Sequence, residues 1–304
     1  MDRLHEMGVF VAVASAGGFA KAGKRLRLSP PAVTRAVARL EARLGTRLLN
    51  RTTRSLGLTD AGTRFLASAQ RLLADIDSAE KDAAGDAAEP RGHLALTASA
   101  TFGRSILFPI VRSFLAAQPH VTVSVLLLDR VVDLIEEGVD VAVRIAELPD
   151  SSLVARRVGA VRRLLVASPG YLAARGTPEA PVDLRAHAII AMSGLMPNRE
   201  WRYVDGGKAR SIQLAPRLEV NDALAALDSA EAGEGITLAL SYMVAEAIRA
   251  GRLVAVLNGH GPVPVPVHLV HAQGRRVAPA VRAFMDFAAP CLAAALDDRA
   301  MPVP

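Results

Sequence analysis

The segment that most restricts what this chain can become is residues 19–44, FAKAGKRLRLSPPAVTRAVARLEARL. It reads as a short helix from about Phe19 to Leu26, a tight turn, and a longer helix that starts at Ser29-Pro30-Pro31 and stops at Gly45. Ser29 suits the N-cap because its hydroxyl can accept an orphan backbone N–H, and prolines suit the first turn, where no intrahelical donor is needed. Val33, Val37 and Leu40 share the inward face, while Thr34, Arg35 and Arg39 lie on or near the other. A helix fed by a turn and armed with arginine has the shape and charge to enter a DNA major groove. There Arg35 and Arg39 can reach guanine edges or phosphates, and Thr34 a thymine methyl.

Charge is distributed to match. The 304-residue chain carries +6 overall, yet residues 1–60 alone hold eleven Lys and Arg against Asp2, Glu6, Glu41 and Asp60. The remainder is therefore close to neutral, and a polyanion partner is expected at one end only. The length predicts about two domains with a sizeable core. The single cysteine, Cys291, forbids an internal disulfide, fits a reducing compartment and reads as a small buried apolar residue. Gly8–Ala20 is uncharged, but Asp2 and Glu6 precede it and its apolar residues keep helical spacing, so a core helix is expected rather than an export signal. No run reaches membrane-spanning length.

The first helix is predicted over about Asp2–Ala16, ending at Gly17-Gly18. After the arginine-bearing helix, Thr46–Leu58 reads as a small hairpin, or wing, whose tip carries Arg51, Thr52 and Arg54; these are expected to grip DNA backbone or minor groove. Thr59 then caps a long helix to about Ala84. Its apolar positions Ala61, Phe65, Ala69, Leu72, Ile76, Ala79 and Ala83 form a nearly continuous heptad stripe. The stripe is expected to pair with the same helix of a second copy in preference to packing on its own domain. Residues 85–92, GDAAEPRG, read as a linker.

From His93 the pattern becomes alternating strands and helices, which predicts an α/β body with a largely parallel sheet. Residues 129–138, DRVVDLIEEG, are among the predicted helices. Open sheets of this kind bind ligands beyond the carboxyl ends of their strands, and Ser99–Phe102 follow the first strand and open a helix, a place suited to an anion or carboxylate. Enzymatic signals are weak: Gly233-Glu234-Gly235 follows a helix rather than a strand, G-x-S-x-G and H-E-x-x-H do not occur, and His268 and His271 point to opposite faces of a strand. Asp133, Glu136, Glu137 and Asp140 read as a solvated helix face. No enzyme activity, metal or cofactor is expected, and the alternative class is a solute-binding protein with an incidental basic arm.

On these residues the whole chain resembles a LysR-type transcriptional regulator. The resemblance rests on SPPAVTRAVARLEARLG, on RLLNRTTRSLGLTDAG running into the long helix, and on DVAVRIAELPDSSLVARRVG, VND, AGEGI, GRLVAVL and VRAFMDF in the body. It implies a winged helix-turn-helix over residues 1–59 with the helix-turn-helix at about 19–38, a linker and dimerisation helix over 60–90, and a periplasmic-binding-protein-like effector domain over 91–304. Within that domain one lobe would hold 91–165 and 270–304, the other 166–268. Ser29, Pro30, Pro31, Ala32, Thr34, Arg35, Arg39, Arg51, Thr52 and Arg54 would meet DNA. Ala61, Phe65, Ala69, Leu72, Ile76 and Ala79 would dimerise. Ser99, Thr101, Phe102, Asp129, Arg130, Arg144, Ile145, Ser193 and Asn221 would line the effector cleft, with Arg144 and the hydroxyls favouring a carboxylate unless backbone carbonyls hold Arg144. The implied partners are double-stranded promoter DNA, further copies of the chain as a dimer or dimer of dimers, a small-molecule effector, and RNA polymerase; the implied location is the cytoplasm. The chain departs from the family pattern at Gly23, where alanine is usual, and at Tyr242, which follows serine where proline is common.

Overall fold

The computed structural model describes residues 3–51, 56–83, 89–148, 153–272 and 277–298. The chain forms two compact units, one of residues 1–95, 118–124 and 275–283, the other of 96–117, 125–274 and 284–304.

The first unit opens with α1 (Arg3–Ala16), α2 (Phe19–Leu26) and α3 (Pro30–Leu44), followed by the antiparallel pair β1 (Leu49–Arg51) and β2 (Leu56–Leu58), and by α4 (Asp60–Ala83). Apolar residues at i, i+3, i+4 and i+7 of α3, namely Val33, Ala36, Val37 and Leu40, are buried with Phe10, Val13, Leu48 and Leu49 in one core. Gly23 looks costly on helix propensity alone, by about 1 kcal/mol against alanine. Its place is a close approach: a Cβ there would stand 2.8 Å from the Leu28 carbonyl oxygen, as the chain reverses through left-handed Arg27. Ser29 does sit at the N-cap of α3, but its side chain makes no capping bond; the prolines that follow it leave fewer donors to satisfy. Thr59 caps α4 as expected, its Oγ1 accepting the Gly62 N–H at 2.9 Å.

The heptad stripe divides along its length. Ala69 is 0% exposed in the α1–α3 core, Ala61 and Phe65 pack on that core, and the Phe65 ring lies 5.7 Å from Phe10. Leu72, one step on, is 50% exposed. The expectation of one continuous dimerisation stripe is thus corrected at its N-terminal half, because α1 reaches that far along α4 and covers it first. The side chain of Ala79 lies outside the described residues.

The body contains β3 (Gly92–Ala98), α5 (Ala100–Phe102), a π-turn at Gly103–Leu107, α6 (Phe108–Ala117), β4 (Val121–Leu127), β5 (Val141–Ile145), β6 (Leu153–Val161) and β7 (Arg163–Ala167). There follow α7 (Pro169–Arg175), β8 (Ile189–Met192), β9 (Glu200–Asp205), β10 (Lys208–Gln213), β11 (Pro216–Val220), α8 (Ala223–Glu231), β12 (Ile236–Leu240), α9 (Ser241–Arg249), β13 (Val254–Val256), β14 (Val265–Ala272) and α10 (Pro279–Asp298). Two five-stranded sheets result, β4-β3-β5-β14-β6 and β11-β8-β12-β7-β13, with β9 and β10 as a separate hairpin. Each sheet marks one lobe. The chain passes between them at Arg162 and again between Val256 and Val265.

The sheets are mixed, not largely parallel. β3 with β5, β8 with β11 and β8 with β12 run parallel, while β7 and β14 pair antiparallel to their neighbours. β7 and β14 are the first strands laid down after each crossing, so they enter their sheets from the hinge end. Strand period sorts side chains between the two faces of the second sheet: Leu165, Ala167, Ile189, Ala191, Ile236 and Leu238 join one core cluster, Val166, Ile190, Met192 and Ala239 the other.

Residues 129–138, expected as a helix, form turns instead. Asp133 Oδ1 accepts the N–H groups of Ile135 and Glu136 at 2.9 and 3.0 Å, which starts a single turn that Gly138, at positive φ, closes. Val132 and Leu134, two apart, are the buried pair, a spacing that helix cannot supply. Helix α10 is long and apolar enough to cross a membrane by length and composition, although Arg282 and Asp286 interrupt its apolar run. It is a core helix: Phe284, Ala288, Ala289, Leu292 and Leu296 are buried, and Phe284 and Phe287 stand 5.1 and 5.5 Å from Phe114.

Candidate nucleic-acid interface and effector cleft

The outer face of α2 and α3 is built by subtraction. With Val33, Val37 and Leu40 inside, Ser29, Pro30, Pro31, Arg35 and Arg39 are exposed and Ala32 and Thr34 half-exposed. Two acids of this unit are spent internally. Glu6 is buried and takes Arg43 at 3.4 Å; Glu41 Oε1 accepts the Leu48 and Leu49 N–H groups at 2.8 and 3.1 Å, tying α3 to the wing. Among the described residues Arg35 and Arg39 have no acidic partner. The surface left to solvent is cationic, with Lys21, Lys24, Arg25, Arg27 and Arg47 around it. Thr34 Oγ1 donates to the Pro30 carbonyl at 3.0 Å, which leaves both its lone pairs able to accept. Arg51 ends β1, its side chain outside the description; Thr52 and Arg54 lie outside the described residues.

In the body, Ser99 follows β3 and Arg144 and Ile145 end β5, while Ser193 follows β8 and Asn221 follows β11. β3 and β5 are parallel neighbours, as are β8 and β11, so both groups stand at strand carboxyl ends. The Ser193 N–H joins the two on the second sheet, donating to the Val220 carbonyl at 2.9 Å. The anion site expected at Ser99–Phe102 is already occupied by the protein: Asp129 Oδ1 accepts the Ala100 N–H at 3.0 Å. Arg144 donates to the Val132 carbonyl at 2.7 Å, and Arg130 forms a two-pronged pair with Glu137 at 2.7 Å. That pair raises the Arg130 pKa and lowers that of Glu137, chiefly through the hydrogen bonds. Arg130 is neutralised by Glu137, while Arg144, held on a neutral carbonyl, keeps its charge; with Asp129 the local sum is zero. Phe102 is 0% exposed and supports the site from beneath; Thr101 is half-buried.

Tyr242, at the start of α9, completes the constellation and was not among the expected residues. Its ring meets Phe102 edge-on at 5.2 Å, so it bridges the second lobe to the first. The Tyr242 and Ser99 hydroxyls are both buried without a well-formed hydrogen bond. Burial pushes the phenol pKa well up, the Asp129 charge adds to this, and Ser99 offsets part of it. The sequence sign was present, since a tyrosine directly follows a strand and a helix-opening serine, but only the tertiary contact with Phe102 gives it meaning. His268 keeps a buried Nδ1 without partner, while His271 Nδ1 lies 2.9 Å from the Ala272 carbonyl oxygen. Among the described residues no cluster of side chains could hold a metal ion.

A basic reader unit followed along the chain by a two-lobed α/β body defines a DNA-binding regulator with a ligand-receiving domain. Comparison with known proteins agrees. Residues 4–63 match the bacterial regulatory helix-turn-helix protein, lysR family, and residues 87–291 match the LysR substrate binding domain. A transcriptional regulator of Xanthomonas campestris pv. campestris is 35% identical over 291 residues, covering 93% of this chain and 84% of its own. A transcriptional repressor of Pseudomonas aeruginosa is 34% identical, covering 94% of this chain and 91% of its own. Among solved structures, CrgA of Neisseria meningitidis has a TM-score of 0.62 at 31% identity, covering 95% and 98% of the two chains. The full-length virulence activator AphB of Vibrio cholerae has 0.60 at 26%, covering 95% and 98%. The chain belongs to the LysR family of transcriptional regulators: its first unit binds DNA and its body is an effector-binding domain.

Proposed function

We propose that α3 enters the major groove with Arg35 and Arg39 as its readers, that the chain acts in the cytoplasm as a dimer joined along the distal part of α4, and that its effector is a neutral, hydrogen-bonding molecule. The observation that supports the first point is the exposed cationic face whose acids, Glu6 and Glu41, are turned inward. Distal α4 supports the second, because Leu72 leaves the core that holds Ala69. The third rests on the cleft: Arg130 is neutralised by Glu137, Arg144 and Asp129 balance in sum, and the Ser99 and Tyr242 hydroxyls are buried without a well-formed hydrogen bond. The charges of Arg144 and Asp129 sum to zero, which suits an effector without net charge. This reading replaces the carboxylate favoured by the bare sequence. The relatives include both a repressor and an activator, so the shared fold alone does not set the sign of regulation.

The test is selection of fragmented genomic DNA by the full-length protein, followed by salt titration on the retained fragment. The expected result is a linear fall of log affinity with log salt, steeper with each phosphate neutralised. A flat titration overturns the reading.

A further inference from the structure

The wing is rooted in two consecutive peptide groups, and each is held at both ends. In the first, the Arg47 carbonyl accepts the Thr59 hydroxyl at 2.8 Å and the Leu48 N–H donates to Glu41 Oε1 at 2.8 Å. In the second, the Leu48 carbonyl accepts the Thr59 N–H at 3.0 Å and the Leu49 N–H donates to the same Glu41 oxygen at 3.1 Å. Leu48 and Leu49 are buried, so an N–H released there would find no water in place of the carboxylate.

The two residues that grip this root come from different elements. Glu41 sits in the last turn of α3, where its main-chain carbonyl also accepts the Thr46 N–H at 3.3 Å and closes the helix. Thr59 opens α4, its Oγ1 accepting the Gly62 N–H, and Gly62 lies against the Leu48 carbonyl with no room for a Cβ. One joint therefore binds α3, the wing root and α4. Electrostatics alone disfavours a carboxylate at this place. It opposes the attraction of the unit for a polyanion, and it stands at the negative end of the α3 dipole. What the carboxylate gains there is the pair of wing N–H groups.

We propose that Glu41 is a positioning residue for DNA recognition: it touches no DNA itself, and by fixing the wing root on α3 it presents the wing and the exposed face of α3 to the duplex as one rigid surface. The proposal rests on the reading that α3 enters the groove. Without the joint the wing would have to be ordered on the DNA, at a cost in affinity for every sequence. Because Thr59 grips the same two peptide groups, a change in the direction of α4 reaches the wing and α3 together rather than one before the other.

Fluorescence anisotropy of the full-length protein on the duplex it selects supplies the test. The binding-competent fraction is counted by stoichiometric titration, so that loss of folded protein is not read as loss of affinity. Glu41→Gln keeps an acceptor at the same reach and should bind at least as tightly as the unaltered protein. Glu41→Asp keeps the charge but withdraws the acceptor by one methylene. It should weaken binding by about fivefold or more at an unchanged salt slope, because no phosphate contact is lost. Glu41→Ala should weaken binding as well, although it removes a negative charge. Electrostatics alone predicts another order, with Ala and Gln tighter and Asp unchanged. Glu41→Asp binding like the unaltered protein, Glu41→Gln as weak as Glu41→Asp, or Glu41→Ala tighter than the unaltered protein each overturns the proposal. The comparison of Gln with Asp stands even where Glu41→Ala does not fold. A flat salt titration of the unaltered protein is a different failure, which removes the DNA reading itself and this proposal with it.

Discussion

Single residues carry the reading of DNA, and their roles separate by measurement. If Arg35 reads a base, Arg35→Ala should cost about 1–3 kcal/mol on the specific fragment and little on unrelated DNA. If Arg39 holds a phosphate, Arg39→Ala should weaken all sequences alike and reduce the salt slope by about one. Fluorescence anisotropy on specific and scrambled duplexes across a salt series distinguishes the two. Gly62 is the most constrained glycine in this unit: a Cβ there would meet the Leu48 carbonyl oxygen, so α4 crosses the wing at backbone contact. Gly62→Ala must push one backbone off the other, and should destabilise the unit by about 1–3 kcal/mol in a denaturant melt. Tyr242 is a different case, since its hydroxyl is buried without a well-formed partner. Tyr242→Phe is expected to leave the effector-free protein as stable or about 1 kcal/mol more stable while weakening effector binding, checked by thermal melts with and without effector.

Among the elements, α4 does two jobs in sequence along one stripe. Ala61, Phe65 and Ala69 close the core of the reader, and the exposed positions begin at Leu72. Substitution should expose the division. Ala69→Glu buries a charge without a partner and should unfold the reader unit. Leu72→Glu should leave helicity intact and weaken self-association by about tenfold or more, read by sedimentation against circular dichroism. The turn segment 129–138 teaches the converse lesson about apolar spacing. Its composition suits a helix, but Asp133 caps its own backbone and the buried pair is Val132 with Leu134, so tertiary packing overrode local preference. That segment also delivers Asp129 to α5 and Arg130 to Glu137, which is how the anion site suggested by the sequence came to be filled from within.

At the scale of the whole molecule, two sheets joined by two crossings make a body whose lobes meet at Phe102 and Tyr242. The raised pKa of Tyr242 gives that contact a pH signature. In the folded protein the phenol keeps its proton above the value near 10 at which an unfolded tyrosine loses it, so the unfolded chain binds fewer protons there. Stability should therefore fall as pH rises above about 10, and Tyr242→Phe should flatten that part of the profile, measured by chemical denaturation across alkaline pH. The helix-turn-helix, the wing and the Thr59 cap were legible in the residues, because helix starts, turns and heptads are local patterns that side-chain type and spacing express directly. The concentration of charge at one end was legible for the same reason, being a property of order along the chain. What the tertiary structure alone decided is which charges remain available. Glu6 and Glu41 turn inward and leave Arg35 and Arg39 bare; Glu137 neutralises Arg130, while Arg144 is oriented by the Val132 carbonyl and keeps its charge. The amino-acid sequence by itself determined the reader and the class of body behind it, since both follow from local periodicity. It could not determine the ligand chemistry, because a charge acts only through the neighbours that long-range folding brings within a few ångströms of it.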